Sequence, residues 1–235
     1  MVKGGSCLYI TDVNGVQQIN LKGESTILLK RNSLKNVVFS MSSSQFACTD
    51  GKTIFLIDEE SKGEINLREQ SLSFKNLNPK AILSLSYAPD GKTLAVGDGK
   101  NLIFIHIISL ETSRIYRADN EIYWIDWLPD KDHLLFLTGL PTTRTMAGKT
   151  YYGNYKIFQI SLTDFIPIEL YANRQIDVRD VRPSLCSDGK YLALIAYIRD
   201  YGNKAIVLST AGFGIFQLAY KGRYSFPCWR PVNSQ

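Results

Sequence analysis

A polar turn flanked by two apolar runs returns several times along this 235-residue chain, and that recurrence constrains its fold more than any other feature. The clearest copy is SYAPDGKTLAV (86–96). DWLPDKDHLLFL (126–137) and PSLCSDGKYLALI (183–195) align with it. VFSMSSSQFAC (38–48) fits with a degraded turn, and PCWRPVNSQ (227–235) fits up to its end. Proline presets φ at the first turn position, aspartate bonds the local backbone, and glycine accepts a positive φ. Asp90, Asp130 and Asp188 are therefore read as turn residues rather than catalytic acids.

A third strand is expected in each copy: 53–60, 101–109, 155–164 and 205–212. A shorter fourth follows at 64–69, 113–118, 166–172 and 215–220. The 13 tyrosines and 11 phenylalanines suit strands. Four strands per unit, repeating every roughly 40 to 50 residues, is the signature of a β-propeller blade. The strands are mostly apolar rather than alternating, as blades covered on both faces require. The sequence predicts an all-β chain: one propeller domain over residues 1–235, with five blades of about four antiparallel strands.

The quoted segments YAPDGKTLAV, WLPDKDHLLFL, LCSDGKYLALI and CWRPVNSQ resemble the TolB-like propeller family and, more loosely, the WD-repeat superfamily. The family pattern is Trp-Ser-Pro-Asp-Gly-x-x-Leu-Ala-Phe. Trp127 and Trp229 hold its tryptophan position, while Tyr87 and Leu185 replace it elsewhere. The closing Trp-Asp dipeptide of WD repeats is missing. Similarity to TolB implies an envelope-associated scaffold, although that family's amino-terminal domain has no counterpart here. Similarity to WD-repeat proteins implies an intracellular assembly platform.

The closing blade is expected to be shared by the N- and C-termini. Residues 4–21 read as a third strand, an Asn14-Gly15 hairpin and a fourth strand, and FPCWRPVNSQ reads as a first strand with its turn. That supplies three strands. An incomplete closing blade, an open ring, and a longer polypeptide completing six or seven blades all fit this count.

Connectivity assigns loops to two faces. Turns between strands 1 and 2, and between 3 and 4, share a face rich in acids, among them Asp12, Asp58, Glu59, Asp90 and Asp130. The opposite face collects Lys22, Lys30, Arg31, Lys35, Arg117, Arg174 and Arg179, with fewer acids such as Glu24. The net charge of +5 would then be unevenly spread, and the basic face would attract acidic partners. That face also carries an unusually long connection in blade four, residues 140–154. It combines Arg144 and Lys149 with Tyr151 and Tyr152, and Tyr155 follows at the strand start. Tyrosine and arginine dominate interface energetics. The alternative is an extended hairpin that merely packs on its own blade. The candidate partner-binding set is Arg144, Lys149, Tyr151, Tyr152, Tyr155, Arg117, Arg174 and Arg179.

Catalytic signatures are scarce. The two histidines, His106 in an apolar strand and His133 beside a turn, do not make a His-rich metal site. Cys7, Cys48, Cys186 and Cys228 are far apart and are read as small apolar strand residues. No Gly-x-Ser-x-Gly, phosphate-binding loop or sialidase Asp-box occurs. Asp126 and Asp180 are the acids expected near a propeller channel, where a glycosidase needs two carboxylates. No apolar run reaches the roughly 18 residues of a membrane span. The N-terminus, if native, implies a cytoplasmic protein; a removed leader would imply the periplasm or envelope. The leading expectation is a non-catalytic protein-interaction or scaffold module, without cofactor or metal, that binds an acidic protein. A propeller hydrolase or lyase is the alternative, and nucleic-acid binding through the basic face the second.

Overall fold

The computed structural model describes residues 2–217 except 4–6, 13–14, 31, 33, 35, 41, 43–44, 52, 60–66, 73–81, 147–148, 174–175, 178–182, 199–201 and 212–214. Among these residues there is no helix, and every strand pairing is antiparallel. The strands form five sheets. The chain divides into two units, Met1–Ile115 and Tyr116–Gln235.

Unit one begins with a sheet of β1 (Val2–Lys3), β2 (Cys7–Asp12), β3 (Gly15–Asn20) and β4 (Ser25–Lys30). The second sheet holds β5 (Asn36–Phe39), β6 (Gln45–Thr49), β7 (Ile54–Glu59) and β8 (Leu67–Leu72). The third holds β9 (Ile82–Tyr87), β10 (Thr93–Asp98), β11 (Asn101–His106) and β12 (Thr112–Arg117).

Strand alternation explains the core. Successive side chains point to opposite faces of a sheet. Phe46, Cys48, Phe55 and Ile57 of the second sheet pack with Val16 and Leu28 of the first. The intervening residues Ala47, Ile54 and Leu56 pack with Leu85, Leu94, Val96, Ile103 and Ile105 of the third. A strand buried on both faces must be apolar at successive positions, as Phe46–Cys48 and Ile54–Ile57 are.

Unit two contains a sheet of β13 (Glu121–Trp127), β14 (His133–Met146), β15 (Lys149–Ser161) and β16 (Pro167–Asn173). Its second sheet holds β17 (Ile176–Asp177), β18 (Ser184–Leu185), β19 (Tyr191–Ile198), β20 (Gly202–Ser209) and β21 (Ile215–Gln217), with β17 and β18 both on β19.

The repeated turn has one geometry. The amide of Ala88 donates to the Thr93 carbonyl at 2.8 Å, Leu128 to His133 at 2.8 Å, Cys186 to Tyr191 at 2.9 Å and Ser40 to Gln45 at 2.9 Å. Inside it, Asp90 Oδ1 accepts from the Lys92 amide at 2.9 Å and Asp188 Oδ1 from Lys190 at 3.0 Å. Gly91 and Gly189 take φ of 70° and 73°, and Lys131 takes 68° where the glycine is missing. The glycines also permit close approach within each unit. A Cβ on Gly189 would lie 2.5 Å from Pro129 Cδ, and one on Gly91 would collide with the Ser40 and Ser42 hydroxyls. The turn of one sheet thus seats on the turn of the sheet before it.

Several expectations need correction. Residues 15–20 are an inner strand, because Ser25–Lys30 adds a further strand beyond them. The connecting turn is closed by Asn20, whose Oδ1 accepts from Lys22 and Glu24, with Gly23 at φ 83°. Lys22 and Glu24 therefore sit in a hairpin within the sheet, not between sheets, and Asp12 moves to the opposite end. The first hairpin pairs Asp12 with Gly15, so Gly15 is in the strand rather than the loop. β8 runs on to Leu72, three residues past its expected end, with Arg68 in register with Asp58, while residues 64–66 lie outside the described residues. Residues 218–235, which carry the expected closing strand and Trp229, lie outside the described residues.

Cys48 is buried in β6. Cys186 instead stands in the turn, donating its thiol to Asp188 Oδ1 at 2.6 Å. Partial burial, then this carboxylate, push the thiol above its ordinary range. His106 is half-buried at a strand end, 3.4 Å from the Ser109 amide.

Trp127 and Tyr87, which hold the same place before the turn, are both buried. Trp127→Ala should cost about 3–5 kcal/mol, read by denaturant unfolding. A negligible change would show that the two copies are wrongly aligned. Gly189→Ala should cost clearly more than Gly99→Ala. Both glycines have positive φ, but a Cβ on Gly99 meets nothing within 4 Å. The shared backbone strain is about 1–2 kcal/mol, and equal losses would show that the turns do not nest.

Candidate functional site

The long connection of unit two is a continuous β-ribbon. β13 accompanies β14 only as far as Gly139, opposite Glu121. The described residues of β16 accompany β15 from Ile160, opposite Pro167, to Tyr155, opposite Asn173, and residues 174–175 beyond them lie outside the described residues. Past those points β14 and β15 run on as a pair: Leu140 opposite Gly153, Pro141 opposite Tyr152, Thr142 opposite Tyr151, Thr145 opposite Thr150 and Met146 opposite Lys149. Threonine and tyrosine in cross-strand pairs favour such a ribbon.

Four of the expected binding residues share this ribbon. Arg144 falls where the register shifts between Thr142 and Thr145, so it stands in a bulge. Lys149 opens β15. Tyr151 and Tyr152 follow in the same strand. Bulges of this kind recur beside functional sites because they redirect side chains.

Tyr155 has a different place. It is fully buried at the root of the ribbon, with its ring centroid 5.7 Å from that of Tyr171 in β16. Burial, then the neighbouring Tyr171 phenol, push its hydroxyl far above the ordinary tyrosine range. A residue without surface cannot touch a partner, so Tyr155 is a core residue that anchors the ribbon. Arg117 is exposed as the last residue of β12. Arg174 and Arg179 lie outside the described residues, as does Asp180.

A second projecting hairpin was not expected. β19 and β20 stay paired to Ile198 opposite Gly202, three residues before the anticipated start of the third strand. β17 pairs with this distal part of β19 and lies against β15 of the ribbon. The described residues that pair with β19 on this side are Ile176–Asp177 on its far part and Ser184–Leu185 on its near part; residues 178–182 between them lie outside the described residues. The signal was the apolar run continuing through Tyr197 and Ile198, followed by Tyr201-Gly202-Asn203.

The opposite end of unit two is strapped together by acids. Asp130 Oδ1 accepts from the amides of Asp132 and His133, at 3.0 and 2.9 Å, and Asp130 Oδ2 lies 2.8 Å from His133 Nδ1. Asp132 accepts from the hydroxyls of Ser161, at 2.8 Å, and Thr163, at 3.1 Å. The serine donates to a carboxylate, not to the imidazole, so this is not a nucleophile arrangement. It ties the β13–β14 turn to the β15–β16 turn. Asp126, one of the two acids expected near a propeller channel, is half-buried, and its Oδ1 accepts from the adjacent Trp127 amide at 3.0 Å. Among the described residues no three His, Cys, Asp or Glu side chains gather as a metal site.

No family model matches the chain, and no curated protein matches it. Solved structures do. Hydrazine synthase from Kuenenia stuttgartiensis superposes with a TM-score of 0.71 at 17% identity, covering 93% of this chain and 64% of that one. TolB from Acinetobacter baumannii gives 0.58 at 16%, covering 94% and 55%. A protein of unknown function from Desulfotomaculum acetoxidans gives 0.66 at 12%, covering 94% and 69%. The chain thus spans about two thirds or less of the first two. At these identities the likeness shows the fold alone, an all-β, TolB-like propeller fold. Among the described residues no helix is long and apolar enough to cross a membrane.

The Asp130 carboxyl has a testable signature. Burial would raise its pKa, but the His133 amide and imidazole and the Asp132 amide together hold it below the usual carboxylate value of 3.8. Its stabilising contribution is therefore complete above that value and is lost as pH falls through the lower, folded-state pKa. The pair is half exposed, so the contribution is about 0.2–1 kcal/mol. Asp130→Asn should leave a shallower fall of unfolding free energy between neutral and strongly acid pH. An unchanged acid limb would mean that the His133 contact contributes nothing.

Proposed function

We propose that this chain is a five-bladed β-propeller, a single domain over residues 1–235, that serves as a non-catalytic protein-interaction module. Its binding end carries the β14–β15 ribbon, with the exposed Arg117 and the undescribed Arg174 and Arg179 contributing to the same basic rim. Each of the five sheets would be one blade, and the segment 227–235 would join the N-terminal sheet. The repeated turn and the TolB-like fold support this architecture. A propeller displays loops on a rigid frame, so function is sought in the loops.

One observation carries the reading. The β14–β15 pairing continues beyond β13, and its residues 140–154 contain two basic side chains, two tyrosines and no acid. The acidic turns at the other end are occupied in holding the structure together. A protein with an acidic surface is the partner that fits.

Affinity capture from source-cell lysate tests this, comparing the intact chain with one whose residues 140–154 are cut to a short turn. A partner should be retained by the intact chain only. Replacing Arg144, Lys149, Tyr151 and Tyr152 together with alanine should weaken capture by at least about tenfold, or about 1.4 kcal/mol. The melting temperature should stay nearly unchanged. Equal capture by both forms would refute the reading, and a large fall in melting temperature would assign the tyrosines to packing.

A further inference from the structure

The ribbon is one of two extended hairpins in unit two, and a single short strand joins them. β19 and β20 stay paired out to Ile198 opposite Gly202, with Tyr197 opposite Asn203 and Ala196 opposite Lys204. β17 pairs antiparallel with that part of β19, Ile176 opposite Ile198 and Asp177 opposite Tyr197. The same β17 lies against β15 of the ribbon. A two-stranded hairpin is marginal alone, and a further strand or a packed neighbour is what makes it stable. β17 is such a neighbour to both hairpins. Their compositions also match. Residues 140–154 hold Arg144, Lys149, Tyr151 and Tyr152 and no acid. Residues 195–204 hold Tyr197, Arg199, Tyr201 and Lys204 with one acid, Asp200; of these, 199–201 lie outside the described residues.

We propose that the ribbon and the β19–β20 hairpin, tied together by β17, form one binding surface for an acidic protein, which engages both hairpins at once. This rests on the interaction-module reading and adds a second, separately testable half to its site. Charge selects the occupant. Each hairpin carries more basic than acidic residues, and two such segments held side by side reinforce one another's field. A second copy would set cations against cations, which disfavours self-association through this surface. The tie selects the mode. Hairpins that already support each other lose less freedom on binding than two independent ones. β17 is a positioning element, since it contributes backbone pairing with β19 and a place against β15.

The test uses the full chain and two labelled twenty-residue peptides, one alternating glutamate with serine and one alternating lysine with serine. The glutamate peptide should bind and the lysine peptide should not. Lys149→Glu in the ribbon and Lys204→Glu in the hairpin should each weaken binding at least about threefold, and the double variant more than either. Lys92→Glu, the same charge change in an exposed turn residue of unit one, should leave binding unchanged. Asp177→Pro removes a backbone donor from β17. It also removes an acid, so simple charge attraction would strengthen binding, whereas loss of the tie should weaken it at least about threefold. In that variant hydrogen exchange should quicken over both 149–153 and 196–203 and stay slow at the buried Leu134–Leu137. Four results would overturn the proposal: no binding of the glutamate peptide by the folded chain, equal binding of both peptides, full binding by Lys204→Glu, or equal weakening by Lys92→Glu. Exchange that quickens in one hairpin only would separate the two and overturn it as well. If Asp177→Pro does not fold, the comparison of Lys204→Glu with Lys92→Glu decides. If partner capture depends on residues 140–154 while Lys204→Glu changes nothing, the module reading stands and only the two-hairpin surface falls.

Discussion

Burial of a sheet on both faces is the constraint from which the rest of unit one follows. Ala47, Ile54 and Leu56 look one way from the second sheet, and Phe46, Cys48, Phe55 and Ile57 look the other. Each fully buried large apolar side chain is worth about 1.5–3 kcal/mol. A sheet with one neighbour removed would forfeit half of that while still bearing the entropy of ordering its strands. The repeats are therefore mutually dependent, as stacked units with no private core must be. Spacing between neighbours has to be reproducible, and the turns provide it. Gly91 seats against the turn at Ser40–Ser42, and Gly189 against Pro129.

The same logic explains the turn at 128–133. Lys131 stands where the 88–93 and 186–191 turns have glycine, in a left-handed conformation that costs a side-chain-bearing residue about 1–2 kcal/mol. Several polar contacts surround it. Asp130 accepts two amides and faces the His133 imidazole, while Asp132 reaches across to Ser161 and Thr163. The backbone repeats a further link at this level: Ile107 to Lys92, Leu162 to Asp132 and Thr210 to Lys190, each at 2.9 Å. The acids offset local strain and join two turns. This is a structural occupation for residues that might otherwise invite a catalytic reading.

How much of this was legible in the sequence depended on whether the signal was local. The turn chemistry of Asp90, Asp130 and Asp188 could be read residue by residue, because turn geometry is set by the residues within it. The burial of Trp127 and Tyr87 followed from their place beside the turn. The Ser25–Lys30 strand was missed because its turn, Leu-Lys-Gly-Glu, lacks the proline and aspartate that marked the others. The capping group there is Asn20, which lies before the turn itself. The extension of β8 to Leu72 depends on a partner strand, and pairing register is invisible in one strand alone. Tyr155 was misplaced for a related reason. Its neighbours Tyr151 and Tyr152 look the same in sequence, and only the point at which β16 begins to pair separates ribbon from core.

That point of separation also bears on what the ribbon can do. An isolated two-stranded hairpin is marginal in water. This one must draw order from its root, where Tyr155 is buried against Tyr171 and β17 lies alongside β15.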